Sequence, residues 1–379
     1  MAKLSGGNVN TSVIERMAYL ARVHNAINLT NGYSDFPCPP ELRDMLLRFI
    51  QEGYNKYAPC EGAMELRVEL SGYYQKRHFK VYNPETEITI TAGATQAIST
   101  AIASVVNEGD EVIVFEPTIE TYVATIEAKG ARPKYLNLKT QGFTIDWNEV
   151  QKAITTQTKL IILSSPNNPT GSVLTMDDLE KLQKMINGTK IKILSDEALG
   201  EVLFGDSESC SVAIFPKLAE SSFIVGSLGK SACVPGWKIG YCLAPAEMMR
   251  RFREVHRYQV QSVNYPMQMA FAGYIKGKDS LFPYPLELER NQRVLTDILG
   301  KSRFVWQPAR GSYFQVLGYE AISAEKDTDF AERLVREHGV ATVPMSVFYH
   351  DATDNRQLRL CLGKPTDELV EAANRLANI

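Results

Sequence analysis

The segment SLGKSACVPGWKIG, Ser227 to Gly240, sets two lysines in a stretch that carries no other charge. Lys230 follows an apolar run and is flanked by Gly229 and the small Ser231. Burial there, with a cationic neighbour, lowers a lysine pKa toward the neutral amine that attacks a carbonyl carbon. Lys238 is placed to be that neighbour. The plain alternative for Lys230 is a solvated surface lysine, since lysine is seldom buried. A nucleotide loop is excluded although GKS occurs, because Ile224 stands where the upstream glycine of the phosphate-cradling pattern is required.

Asp196 follows the run IKILS. A carboxylate at a strand end either caps a helix or faces the ring nitrogen of a pyridine cofactor, keeping it protonated so that the ring withdraws electrons from a developing carbanion. Gly93-Ala94-Thr95 opens a helix, so its free N–H groups suit a phosphate, or else form only a tight turn. Ser227 and Lys238 would complete that anion site. Asn168 lies in SSPNNPTG, where a turn asparagine is commonly structural; in a cleft, its amide would donate to a phenolate and to a substrate carboxylate. Arg359 sits in the apolar QLRLCLG. It is either a buried salt bridge or a bidentate grip on an α-carboxylate.

These residues need a frame that brings them together. From about Glu87 the chain alternates β-rich runs with amphipathic stretches, which predicts an α/β domain with a largely parallel sheet. Strands are expected at Ile88–Thr91, Glu111–Phe115, Lys134–Asn137, Leu160–Ser164, Ile191–Ser195, Phe223–Ser227 and Gly240–Leu243. LIIL and FIVG are apolar on successive residues, as in strands covered on both faces. Helices are expected at Thr95–Val106, at Met176–Asn187 with Thr175 as N-cap, and from Pro245 to about Tyr258. Beyond Pro283 and Pro285 the pattern predicts a smaller α+β block. It has a long helix, strands near Phe304–Gln307, Tyr313–Val316 and Leu358–Leu362, and helices at Asp329–His338 and Thr366–Leu376. The N-terminal arm to about Pro40 reads as irregular. Ligands of open α/β sheets bind beyond the carboxyl ends of the strands, which is where the candidate residues fall.

Composition narrows the classes of partner. The 379 residues are 44% hydrophobic, with a formal net charge of -3, enough to bury a large core, in two domains. Neither that charge nor any block of like charges provides a footprint for nucleic acid or an anionic membrane. No apolar run is long enough to span a bilayer, and MAKLSGGNVN lacks the apolar centre of a signal peptide, so a cytoplasmic location is expected by elimination. The six cysteines are scattered without a CxxC pair, and the five histidines do not cluster with them. Buried thiols, rather than a metal site, are expected.

SSPNNPTG, SDEA, SLGK with GWKIG, and RLCLG, in this order, resemble the class I/II aminotransferases, pyridoxal 5'-phosphate enzymes of fold type I. INLTNGYSDFPCPP, YNKYAPCEGAMELR, ITAGATQAI, DEVIVFEP and HGVATVPMSVF are similar to members near kynurenine and methionine aminotransferases, so the likeness runs nearly end to end. It implies a large, mostly parallel-sheet cofactor domain over residues 41–282, and a smaller α+β domain from residues 1–40 and 283–379. It also implies a homodimer with sites at the interface. Lys230 would be the Schiff-base lysine and proton shuttle, Asp196 the partner of the pyridine nitrogen, and Asn168 the contact to the cofactor oxygen. Ala94, Thr95, Ser227 and Lys238 would hold the phosphate, with Tyr57 reaching it from the neighbouring subunit. Arg359 and the Gly32 backbone would bind the substrate carboxylate, and Tyr122 would lie near the ring.

Two positions depart from the family pattern. Leu199 stands where a tyrosine usually donates to the cofactor's phenolic oxygen, and Ile119 where an aromatic residue usually stacks on the ring. Loss of a hydrogen bond to a charged oxygen is worth roughly 1.5–3 kcal/mol, and loss of stacking on the order of 1 kcal/mol. Cofactor binding is expected to survive both. The expected function is ping-pong transfer of an amino group from a neutral, sulfur-containing or aromatic L-amino acid to a 2-oxo acid. A β-eliminating lyase would use the same residues, and a cofactor-binding protein with little catalysis is a third reading.

Overall fold

The computed structural model describes residues 12–379 apart from 206, 208 and 209. The first part of the N-terminal arm, residues 1–11, lies outside the described residues.

A seven-stranded sheet forms the frame, in the spatial order Ile88–Thr91, Gly240–Leu243, Ser222–Ser227, Lys192–Asp196, Thr158–Ser164, Glu111–Glu116, Arg132–Asn137. All neighbouring pairs are parallel except the two made by Gly240–Leu243, which runs antiparallel to both flanking strands. The central strands are covered on both faces: Leu160, Ile161, Ile162 and Leu163 are all buried, which is why they read as an unbroken apolar run rather than an alternating one. One apolar layer lies under Met64–His78, which packs Leu66, Leu70, Tyr73 and Tyr74 inward. The other lies under Gly93–Val105 and Ala246–Gln259. Met176–Ile186 begins as the sequence predicts, with a capping box in which Thr175 and Asp178 exchange hydrogen bonds.

A three-stranded antiparallel sheet, ordered Val343–Pro344, Gln357–Cys361, Phe314–Gly318, carries Arg359 on its central strand. The helices Pro285–Leu299, Asp327–His338 and Thr366–Ala377 share its core.

Two expectations are corrected. The stretch Phe304–Gln307 forms only an isolated bridge between Val305 and Gly318. Val305 is exposed, and Pro308, just beyond, has no N–H to extend a ladder. The described part of the arm is irregular chiefly from residue 29 to residue 39. Val13–Val23 is a helix opened by a Ser12–Glu15 capping box, and it buries Met17 and Ala21. Ile27 and Asn28 then pair in parallel with Val340 and Ala341, fastening the arm to the second block.

Candidate active site

The carboxyl ends of adjacent strands bring the predicted residues to one place. Asp196 ends its strand in register with Ser164 on one side and Val225 on the other. The next strand ends at Ser227, whose Oγ accepts the Lys230 backbone N–H at 3.3 Å and caps the single turn Leu228–Ser231. That turn carries Lys230 just beyond the strand ends, and Tyr313 fixes its backbone from the second block by donating to the Lys230 carbonyl at 2.7 Å. Burial pushes the Lys230 amine below its ordinary pKa; Lys238 and Arg359 push the same way, while Asp196 opposes them. The charges of Asp196, Lys238 and Arg359 are thus close enough to act on Lys230, and burial drives the lysine toward the neutral form.

Asp196 is itself buried and held at both oxygens. Oδ2 accepts the Tyr122 hydroxyl at 2.6 Å and Oδ1 accepts the Ala198 N–H at 3.0 Å. Tyr122 lies within Glu120–Ala128, and its phenol is held well above its usual pKa, mainly by burial and next by the Asp196 charge. It thus donates as a neutral phenol. The helix-cap alternative for Asp196 is not what forms, because the residues after it make turns rather than a helix.

At the other wall, Gly93 opens Gly93–Val105 with a φ of +77° that L side chains rarely adopt. A Cβ there would come within 3.2 Å of Lys238 Nζ. Lys238 thus reaches the helix N-terminus, where the first N–H groups, including those of Ala94 and Thr95, have no acceptor within the helix. Gly240 makes this closeness possible, since a Cβ on it would fall 2.8 Å from the Ala94 nitrogen.

Arg359 answers the salt-bridge alternative directly. It is 1% exposed, yet no ion pair to a carboxylate is formed among the described residues. Nη1 donates to Asn168 Oδ1 at 3.0 Å and Nη2 to the Thr30 carbonyl at 2.9 Å, while Nε is buried with no partner. Phe314 and Phe348 face the guanidinium at 4.4 and 5.1 Å. Burial lowers its pKa to about 10. A desolvated cation with an unfilled donor is a ready receptor for a carboxylate. Gly32 belongs to the same wall: its loop follows Thr30 and is tied down by the Asp35 N–H on the Gly363 carbonyl at 2.6 Å and by the Lys364–Asp35 ion pair.

Tyr57 is not brought into this cleft within one chain; it is 84% exposed. The sequence pointed to Phe348 only through its motif HGVATVPMSVF, and gave no sign that Phe314, Tyr313 or Thr30 would surround Arg359 and Lys230. A separate cleft of about 600 Å³, lined by Phe143, Trp306, Arg310 and Gln357 among others, contains none of the predicted site residues.

The profile of aminotransferase class I and II matches residues 24–376. The chain belongs to this family. It is 35% identical over 372 residues to the methionine aminotransferase of Escherichia coli strain K12, covering 98% of this chain and 96% of that one. The kynurenine–oxoglutarate transaminase of Dictyostelium discoideum is 29% identical over 369 residues, 88% of this chain and 85% of its own. The solved structure of YbdL from Escherichia coli, whose reactivity identifies a methionine aminotransferase function, superposes with a TM-score of 0.95 at 34% identity, covering 99% of this chain and 100% of that one.

The aminotransferase is thus of fold type I, uses pyridoxal 5'-phosphate and transfers amino groups. Its residues fit that cofactor. The glycine-lined cradle under Lys238 suits a phosphate, and the buried Asp196 carboxyl group, fixed by the Tyr122 hydroxyl, is of the type that pairs with a pyridine nitrogen. Of the polar groups weighed against the missing tyrosine at Leu199, Glu201 is held by Tyr73 and Leu281, Glu197 by Ser195 and Val212, and Tyr122 by Asp196. Leu199 itself is buried in the second block's core. Ile119 is partly buried beside the helix Glu120–Ala128.

Proposed function

We propose that this aminotransferase moves the amino group of a neutral, sulfur-containing or aromatic L-amino acid to a 2-oxo acid by a ping-pong route. The observation that carries the reading of an α-carboxylate substrate is Arg359, a buried guanidinium with an unfilled donor whose charge is felt by Lys230. Arg359 and the Gly32 backbone would bind the α-carboxylate, and Asn168, whose Oδ1 already accepts from one guanidinium nitrogen, would donate its amide N–H groups to the cofactor oxygen. Lys238, Ser227 and the N–H groups of Ala94 and Thr95 hold the phosphate. When bound, the cofactor supplies an electron sink for the carbanion formed at the substrate's α-carbon. Asp196, held at its two oxygens by the Tyr122 hydroxyl and the Ala198 N–H, would hold the proton on the ring nitrogen. Lys230 is the covalent anchor and, once freed, the base and then the acid that moves the α-proton.

The names of the methionine and kynurenine enzymes support a substrate with an uncharged side chain, and Ile119 leaves more room beside the ring than an aromatic residue would. The reading includes a homodimer in which Tyr57 of a second copy meets the phosphate; its exposure in the single chain supports this. It also includes a cytoplasmic location, and a division into residues 41–282 and residues 1–40 with 283–379. The core of the seven-stranded sheet, drawn from residues 42–281, supports that division, although the second sheet's core also takes in Leu199, Val202, Phe204, Cys233 and Phe282.

The test mixes purified protein with one amino acid and no acceptor. Amino transfer yields one equivalent of 2-oxo acid per site and then stops until an acceptor is added. Continuous pyruvate release would instead establish the β-eliminating reaction, for which the absent aromatic contacts at Leu199 and Ile119 are the supporting feature.

A further inference from the structure

A buried carboxylate and an imidazole join the two sheets beside the site. Glu116, which ends the strand Glu111–Glu116, is 2% exposed. Its Oε1 accepts the His350 backbone N–H at 2.6 Å, and its Oε2 lies 2.8 Å from His350 Nδ1. His350 follows the short helical turn Met345–Phe348, and its ring lies flat on Tyr135, with centroids 3.9 Å apart and planes 3° apart. Two residues earlier, the Phe348 carbonyl accepts the Thr118 N–H at 2.9 Å, while the Phe348 ring faces Arg359. The span 348–350 therefore touches both the loop that leads to Ile119 and the guanidinium of the carboxylate site.

The physics favours this docked arrangement. Both carboxyl oxygens of Glu116 are met from His350, one by its backbone N–H and one by its ring. Moving the span away would leave a buried carboxylate without its donors, a costly state. The flat stack on Tyr135 fixes the imidazole's direction, so the hydrogen bond sets where Phe348 sits.

We propose that Glu116 and His350 form a latch between the seven-stranded sheet and the Arg359 sheet, one that positions Phe348 and through it Arg359 for the substrate carboxylate. His350 is thus a positioning residue. This rests on the reading above that Arg359 binds that carboxylate.

The test compares His350→Ala, His350→Asn and Arg359→Lys holoenzymes, with amide exchange of the cofactor-free proteins as a second readout. In His350→Ala the KM for the amino donor rises about tenfold, the scale of one hydrogen bond to a charged group, with kcat within about twofold. Exchange accelerates over residues 111–122, which contain the Thr118 N–H. His350→Asn, whose amide can occupy the Nδ1 position, restores both. A KM within about twofold of the parent in His350→Ala, with or without a lower Tm, overturns the latch provided that Arg359→Lys raises KM. If Arg359→Lys leaves KM unchanged, it is the carboxylate assignment that fails.

Discussion

The Tyr122 hydroxyl donates to Asp196 Oδ2 across 2.6 Å, while the Ala198 N–H takes Oδ1. Two donors fix the direction of one buried carboxyl group, as its proposed pairing with a protonated pyridine nitrogen requires. Tyr122→Phe removes the stronger contact, a bond to a charged group worth about 1.5–3 kcal/mol. The expected result is a fall of about tenfold or more in kcat/KM, with a shifted pH profile of the bound cofactor's visible absorbance. An unchanged kcat/KM would separate Tyr122 from the work of Asp196.

Arg359 predicts a ligand-dependent stability. Truncating one partner of a buried charged pair costs roughly 2–5 kcal/mol, so Arg359→Gln raises the KM for the amino donor by about 30-fold or more. Added monocarboxylates that mimic the substrate raise the Tm of the parent protein by mass action on its folded state. They leave the Arg359→Gln variant unmoved, which a thermal-shift titration checks.

Glu197 predicts a pH dependence. Burial pushes its carboxyl up to about 7, against the hydrogen bonds from Ser211, Ser195 and Val212 that favour the charged form. Its folded pKa lies above the unfolded value, so the protonated group's contribution is fully present below about pH 4.5 and is lost as pH rises through about 7. Glu197→Gln, which stays neutral, is therefore expected to gain on the parent across that window, by up to roughly 3 kcal/mol at pH 8. Urea unfolding at pH 4.5 and pH 8 measures the difference; a gap that does not widen with pH contradicts the assignment.

Much of this was legible in the sequence, because the sheet's central strands are apolar on both faces. Leu160–Ser164 and Phe223–Ser227 could be read almost to their ends, and each end delivered a polar residue to the cleft. The arm helix Val13–Val23 was missed because its apolar stripe is short and buries only Met17 and Ala21. Val305 misled in the other direction, a β-branched residue left exposed beside a proline. The contacts that shape the site were illegible for a different reason. Tyr122 on Asp196, Asn168 on Arg359 and His350 on Glu116 each join residues far apart in the chain, and no local pattern marks such pairs. The family resemblance supplied roles for single residues; the unpaired state of Arg359 came only from its surroundings.

The central claim is that Lys230 holds the cofactor while Asp196 faces its ring nitrogen. Borohydride treatment of the holoprotein followed by digestion and mass spectrometry tests it most directly. The account predicts a cofactor mass fixed to the peptide containing Lys230, and no fixed cofactor in Lys230→Ala. A label on Lys238 or any other lysine, or one that persists in Lys230→Ala, would contradict it.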